Sequence, residues 1–184
     1  MMKQKKTMAT RALAYCAMLA AISVALARLA GLMPDESSRF SIEAIPIFMA
    51  GMFFGPLAGG LVGFAADFVG CLFSPFGFNP LFCIPPILYG VFGGVFQKYL
   101  ARKMSIPRLA VSFLPPVVLG SILYQSFALA LVYFSNTFTE GLILKLTTRS
   151  VQFAITMVLD VLIIFVIFKA KVFDRLGVWP PKKR

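Results

Sequence analysis

The 184-residue chain has no histidine. That removes the commonest general base and the commonest metal ligand together. Its three cysteines, Cys16, Cys71 and Cys83, lie in apolar runs and lack metal-ligand spacing, so they read as buried or lipid-facing thiols, not as zinc ligands or a disulfide. No G-x-x-x-x-G-K-S/T phosphate loop is present, so the chain does not hydrolyse ATP by that route. Carboxylates paired at one depth are also missing, which together with the absent histidine argues against most hydrolytic designs. Charged residues make up only 14% of the chain, against about a quarter in soluble domains. From Phe40 to Gln97 there is neither a lysine nor an arginine.

Apolar residues are abundant instead. They account for 59% of the chain, with a mean hydropathy of +0.86, and they come in long runs. Such runs indicate an integral membrane protein. Backbone groups in lipid must be satisfied within the segment, and the runs lack the alternation of a membrane barrel, so the expected class is all-α. Six transmembrane helices are expected at about 9–33, 42–54, 56–73, 81–99, 109–134 and 142–169, forming a single domain over 1–184. The basic start MMKQKKTMATR is followed by a long apolar run without a clean cleavage site. It reads as the first spanning helix, with a cleaved signal as the alternative.

The net charge of +11 reports topology, not nucleic-acid binding. Lys3, Lys5, Lys6 and Arg11 open the first helix. Lys98, Arg102, Lys103 and Arg108 lie between the fourth and fifth. Lys169, Lys171, Arg175, Lys182, Lys183 and Arg184 follow the sixth. These 14 of the 18 basic residues share one face if six helices alternate, and the positive-inside rule makes that face, with both termini, cytoplasmic. The second helix, at about 13 residues and ~20 Å, is short for a core of ~30 Å. Two spans joined at Gly55-Pro56 are expected; a re-entrant pair is the alternative.

The remaining basic residues, Arg28, Arg39, Lys145 and Arg149, all map to the outer half. They read either as snorkelling side chains or as a positive mouth suited to an anionic solute. The outer loop SPFGFNP carries Phe76, Phe78 and Asn79, which suit a planar solute with hydrogen-bonding edges; interfacial aromatics are the alternative. Tyr89, Tyr124, Gln125 and Gln152 sit in the outer halves of helices and should face the bundle, because buried amides and phenols need partners. Asp67 lies about 11 residues, ~16 Å, into the third helix. An intramembrane carboxylate is a functional candidate, with an ion pair to Arg149 as the structural alternative. Asp160, deeper in the sixth helix, reads as a helix contact or a partner-binding group.

Small residues supply two patterns. Ala17, Ala21 and Ala25 recur every four residues in the first helix, either for packing within the chain or as a face for another membrane subunit. Gly51, Gly55, Gly59 and Gly63 repeat likewise, and Asp67 continues the spacing into the bundle.

The segment RFSIEAIPIFMAGMFFGPLAGGLVGFAADFVGCLFSPFGFNP resembles the folate family of S components, the substrate-binding subunits of energy-coupling factor (ECF) transporters. The resemblance rests on Arg39, Ile45-Pro46-Ile47, Ala50-Gly51-Met52, Gly55-Pro56, Asp67 with Gly70, and Pro75 with Gly77. The alanine spacing resembles the family's AxxxA motif. The family pattern reads approximately YFPGFTLSAALYG where this chain has FNPLFCIPPILYG, so Cys83, Pro85 and Pro86 stand in place of its Ser/Thr groups. The resemblance implies a six-helix protein of a prokaryotic plasma membrane that binds a vitamin from outside. It also implies docking, through Ala17, Ala21 and Ala25, on a transmembrane coupling subunit with two ATPases, which consume the ATP and drive toppling. No cofactor is expected in the chain itself. Folate is the first expectation, with a pterin for Phe76, Phe78 and Asn79 and a glutamate tail for Arg39, Lys145 or Arg149. Another planar or anionic vitamin is the alternative within this class. A stand-alone carrier or channel is the alternative outside it, disfavoured because only the first half shows a broken helix.

Overall fold

The computed structural model describes residues 2–31, 42–73, 77–134 and 137–171, with side chains of the first helix described over Thr10–Leu29. The regular elements among the described residues are all helical. They are α1 (Met2–Gly31), α2 (Ala44–Phe54), α3 (Pro56–Leu72), a 3-10 turn (Pro80–Cys83), α4 (Ile84–Val95), α5 (Gln97–Arg102), α6 (Ile106–Pro115), a π segment (Pro116–Tyr124), α7 (Gln125–Tyr133) and α8 (Phe138–Lys169).

The α2–α3 connection is a single residue. Gly55 adopts φ +99°, which an L side chain rarely tolerates, and its N–H bonds to Gly51 O at 2.8 Å to close α2. Pro56 then opens α3, where its missing N–H costs nothing. The chain reverses sharply and lays the two helices side by side, with α4 against both. A methyl group at Gly51 or Gly59 would strike the carbonyl of Gly90, one at Gly90 would strike that of Gly59, and one at Gly63 that of Pro86. The four-residue glycine spacing is therefore a backbone-to-backbone seam among α2, α3 and α4, and Gly55 serves as its turn. Glycine's propensity penalty is offset by close approach.

The helix expected over 81–99 is divided. Asn79 accepts a hydrogen bond from Leu81 N–H at 3.1 Å and caps the 3-10 turn, which passes into α4 at Ile84. At Phe96 the chain breaks before α5, and Gln97 Nε2 bonds back to Phe53 O at 3.2 Å. The helix expected over 109–134 begins earlier, at Ile106, because Ser105 is extended and Pro107 suits the first turn. Its middle is π-helical from Pro116. Pro115 and Pro116 donate no N–H to the preceding turn, which favours such a departure. The last helix starts at Phe138, not near 142.

Among the described residues, three helical stretches are long and apolar enough to cross a membrane: Thr10–Leu29, Ile106–Tyr133 and Phe138–Lys169. Ala44–Phe54, Pro56–Leu72 and Pro80–Val95 are apolar but shorter. The core lies where α2, α6 and α8 meet. Phe48 and Phe113 are fully buried there, with ring centroids 4.0 Å apart. Large apolar side chains such as Leu57, Leu61, Val151 and Val158 point outward, as expected of surfaces that face lipid. Asp160 is 1% exposed, so it faces the bundle interior and is no surface group for a partner.

Candidate functional site

A cavity of about 260 Å³ opens among α1, the start of α2, α3, the start of α4 and the π segment. Of the candidates read from the sequence, Arg28, Asp67, Tyr89 and Gln125 line it. Asp67 is placed there by the seam: three residues before it, Phe64 faces outward, while Gly63 presses on α4 and turns the next position of that face inward.

Cys71, one turn on from Asp67, has its Sγ 4.0 Å from the Asp67 Oδ2. Tyr89 and Ser121 share a hydroxyl hydrogen bond of 3.0 Å, and both are buried beside the cavity. Arg149 donates from Nη1 to Ser121 O at 3.2 Å and lies over the Phe153 ring at 5.4 Å. Those contacts make Arg149 a support for the π segment.

Several lining residues escaped the sequence reading. Glu43, at the start of α2, lines the cavity, and its backbone carbonyl accepts from Ser23 Oγ at 2.7 Å. A carboxylate is favourable at a helix N-terminus, and its place just before an apolar run was the available signal. Ser23 and Ser121 carry no such signal, because a single hydroxyl in an apolar run looks like any small residue. Arg28, one of the outer cations read from the sequence, lines the cavity and has a second task. Its Nη1 donates to Phe73 O at 3.1 Å and its Nη2 to Gly70 O, satisfying carbonyls at the C-terminal end of α3.

The other candidates lie elsewhere or beyond description. Arg39 and Phe76 are outside the described residues. Phe78 is 39% exposed and meets Phe68 edge-on, and Asn79 is engaged as a cap. Lys145 sits over Phe134 at 6.0 Å, and neither it nor Tyr124 nor Gln152 lines the cavity. Ala17, Ala21 and Ala25 are all exposed along one side of α1, with Met18 and Ile22 beside them. Among the described residues no His/Cys/Asp/Glu group is arranged to hold a metal ion.

The cavity thus offers two carboxylates, one guanidinium engaged at its edge, hydroxyls and an amide, between walls that include Phe82, Pro85 and Pro86. Such a mixture suits a flat polar molecule with several donors.

Known proteins resemble this chain in both sequence and fold. The profile of the family described as "ECF-type riboflavin transporter, S component" matches residues 7–171. The folate transporter FolT of Clostridium novyi (strain NT) is 35% identical over 75 residues, covering 40% of this chain and 42% of that protein, less than half its length. The crystal structure of FolT bound with folic acid superposes with a TM-score of 0.61 at 28% identity, covering 82% of this chain and 94% of that one.

Proposed function

Because the chain belongs to the family of ECF-type riboflavin transporter S components, a family of transporter subunits and not of enzymes, we propose that it is the vitamin-capturing subunit of an ATP-driven uptake system and that its vitamin is folate. In this reading six segments cross a prokaryotic plasma membrane with both termini inside, and the cavity opens outward. The basic residues that flank α1, α5 and α8 support that orientation. The solute is taken with high affinity from outside. It is released inward when the subunit topples on a transmembrane coupling protein bearing two ATPases. The exposed Ala17/Ala21/Ala25 side of α1 supports a docking role, since small residues allow close helix approach. ATP is used by the partner subunits, and this chain needs no cofactor of its own.

The observation that carries the choice of vitamin is Asp67 on the cavity wall. A pterin presents a ring N–H beside an exocyclic amine, two donors on one edge, and a carboxylate accepts both. The flavin ring instead presents one imide N–H between two carbonyls, which would set two acceptors against the carboxylate. The cavity volume of about 260 Å³ suits the bicyclic head alone. It lies just under the ~300–1,000 Å³ of sites that enclose drug-sized ligands whole. The glutamate tail would then extend beyond the cavity, and Arg39 is the counter-charge that the sequence offers for it.

Riboflavin is the second reading, favoured by the description of the matched family. Titrating the purified chain with folic acid and riboflavin by calorimetry decides between them. Nanomolar one-to-one binding of folic acid with weak riboflavin binding is expected. The reverse order would overturn the folate assignment. Absence of vitamin binding, together with solute flux in vesicles lacking ATPases, would overturn the S-component reading.

A further inference from the structure

The short helix α5 sits between two apolar stretches. Pro80–Val95 ends just before it, and the stretch Ile106–Tyr133, long enough to span a membrane, begins just after it. The inner side of α5 is fixed: Leu100 is fully buried, and Gln97 Nε2 holds Phe53 O at the end of α2. Its C-terminal end is fixed from α6. Arg108 Nη1 donates to Tyr99 O at 3.5 Å and to Lys103 O at 3.4 Å, and its guanidinium lies 5.0 Å from the centre of the Tyr99 ring. Tyr99 O is among the last four carbonyls, which a helix leaves without an internal partner.

The outer side of α5 is cationic. Lys98, Arg102 and Lys103 are all exposed, and Lys98 and Arg102, four apart, share one helix face. Their surroundings supply no acid. From Phe68 to Thr139 the chain has neither aspartate nor glutamate, which covers α4, α5 and α6. The other element packed on α5 is α2, whose acid, Glu43, caps its opposite end, ~15 Å along the helix from Phe53. Beside the cations, Val95, Tyr99 and Ile106 expose apolar surface. Fixed cations bordered by apolar side chains, where two apolar helices end, match the boundary between lipid headgroups and acyl chains.

We propose that Lys98, Arg102 and Lys103 form a binding site for the phosphodiester headgroup of an anionic phospholipid, with Val95, Tyr99 and Ile106 against its acyl chains. A phosphodiester offers two charged oxygens, which the Arg102 guanidinium can take as a pair while the two ammonium groups act as point charges. A zwitterionic lipid carries its own cation beside the phosphate, so the site selects lipids of net negative charge. Arg108 is a positioning residue, engaged with carbonyls and the Tyr99 ring. The proposal rests on the bilayer-spanning reading given above and not on the choice of vitamin. In the orientation given there, the occupied site anchors this end of the bundle in the inner leaflet.

The full chain, purified in detergent, is titrated with phosphatidylglycerol and separately with phosphatidylcholine, and bound lipid is counted by native mass spectrometry. Phosphatidylglycerol should bind more tightly, and the triple variant Lys98→Gln/Arg102→Gln/Lys103→Gln should lose about tenfold or more of that affinity. The pair Lys98→Gln/Arg102→Gln should lose several-fold more than Lys169→Gln/Lys171→Gln, which removes the same charge from the exposed end of α8. All these side chains are exposed, so melting temperatures should stay close to that of the unaltered chain; Arg102→Gln alone, expected to cost about fivefold, keeps the test available if the triple variant does not fold. Equal losses in the two pairs, or unchanged phosphatidylglycerol binding in the triple variant, overturn the proposal. Displacement of the lipid by excess inorganic phosphate overturns the lipid assignment in favour of a free anion. A triple variant that keeps its lipid but no longer co-purifies with the coupling subunit overturns it in favour of an acidic protein surface. Folic acid titration of the same samples tests the vitamin assignment separately, since the lipid counts stand whether or not folic acid binds.

Discussion

The Tyr89 and Ser121 hydroxyls meet at 3.0 Å, and the carbonyl of the same Ser121 takes the Arg149 guanidinium at 3.2 Å. One residue of the π segment is thereby tied to α4 on one side and to α8 on the other. The cavity wall at Ser121 depends on both attachments. Tyr89→Phe should cost about 1 kcal/mol, because a buried serine hydroxyl loses its partner. Ser121→Ala should cost a similar amount, and the double variant clearly less than the sum. Thermal unfolding in detergent measures all three. Strict additivity would mean that the hydrogen bond contributes nothing.

Asp67→Asn tests the carboxylate directly. If Asp67 reads the donor edge of a pterin, the amide presents an N–H₂ where an acceptor is needed. Folic acid affinity should then fall by at least ~1.5 kcal/mol, the lower end for a hydrogen bond to a charged group. Calorimetry measures it, and an unchanged affinity would remove Asp67 from the site.

Gly59 and Gly60 are adjacent, yet their substitutions should differ sharply. A methyl at Gly59 meets the Gly90 carbonyl and the Gly51 backbone, neither of which can yield without moving a helix. A methyl at Gly60 meets only side chains, the Val91 Cγ2 at 3.1 Å, which can shift by a few tenths of an ångström, and the Ile87 Cγ2 at an ordinary 3.7 Å. Gly59→Ala should cost ~2–3 kcal/mol or prevent folding, and Gly60→Ala about 1 kcal/mol or less. Size-exclusion profiles and melting temperatures of the two variants provide the comparison.

Ala21→Trp should leave vitamin binding intact and abolish co-purification with the coupling subunit. Ala21 is exposed in the isolated chain, so the indole finds room until a second helix must approach. Loss of vitamin binding, or normal assembly with the partner, would each contradict the docking role.

How much of this was readable in the sequence depends on what kind of signal each feature leaves. Long apolar runs announced helices, and the GP dipeptide announced the turn at Gly55. The glycine spacing predicted close packing, and the same spacing put Asp67 on the inner face. The π segment left no trace, since an i→i+5 pattern has no periodicity of its own inside a continuously apolar run. The break at Phe96 was equally silent, because neither glycine nor proline marks it directly. Charge was the weakest guide to the cavity. Of the isolated outer cations, the cavity gathers Arg28 but not Lys145 or Arg149. Those two are engaged with Phe134 and Ser121, contacts that depend on helix rotation and not on position along the chain.

The glycine seam also bears on how such a molecule can move. Where side chains separate two helices, rotamer changes let one slide past the other by small increments. Between α2, α3 and α4 the contacts at Gly51, Gly59, Gly63 and Gly90 are backbone against backbone, with no rotamers to exchange. These three helices form a unit without internal gears. Any rearrangement that admits or releases a solute must be taken up at its borders, by α1, the π segment and the connections, or by rotation of the whole bundle as one body.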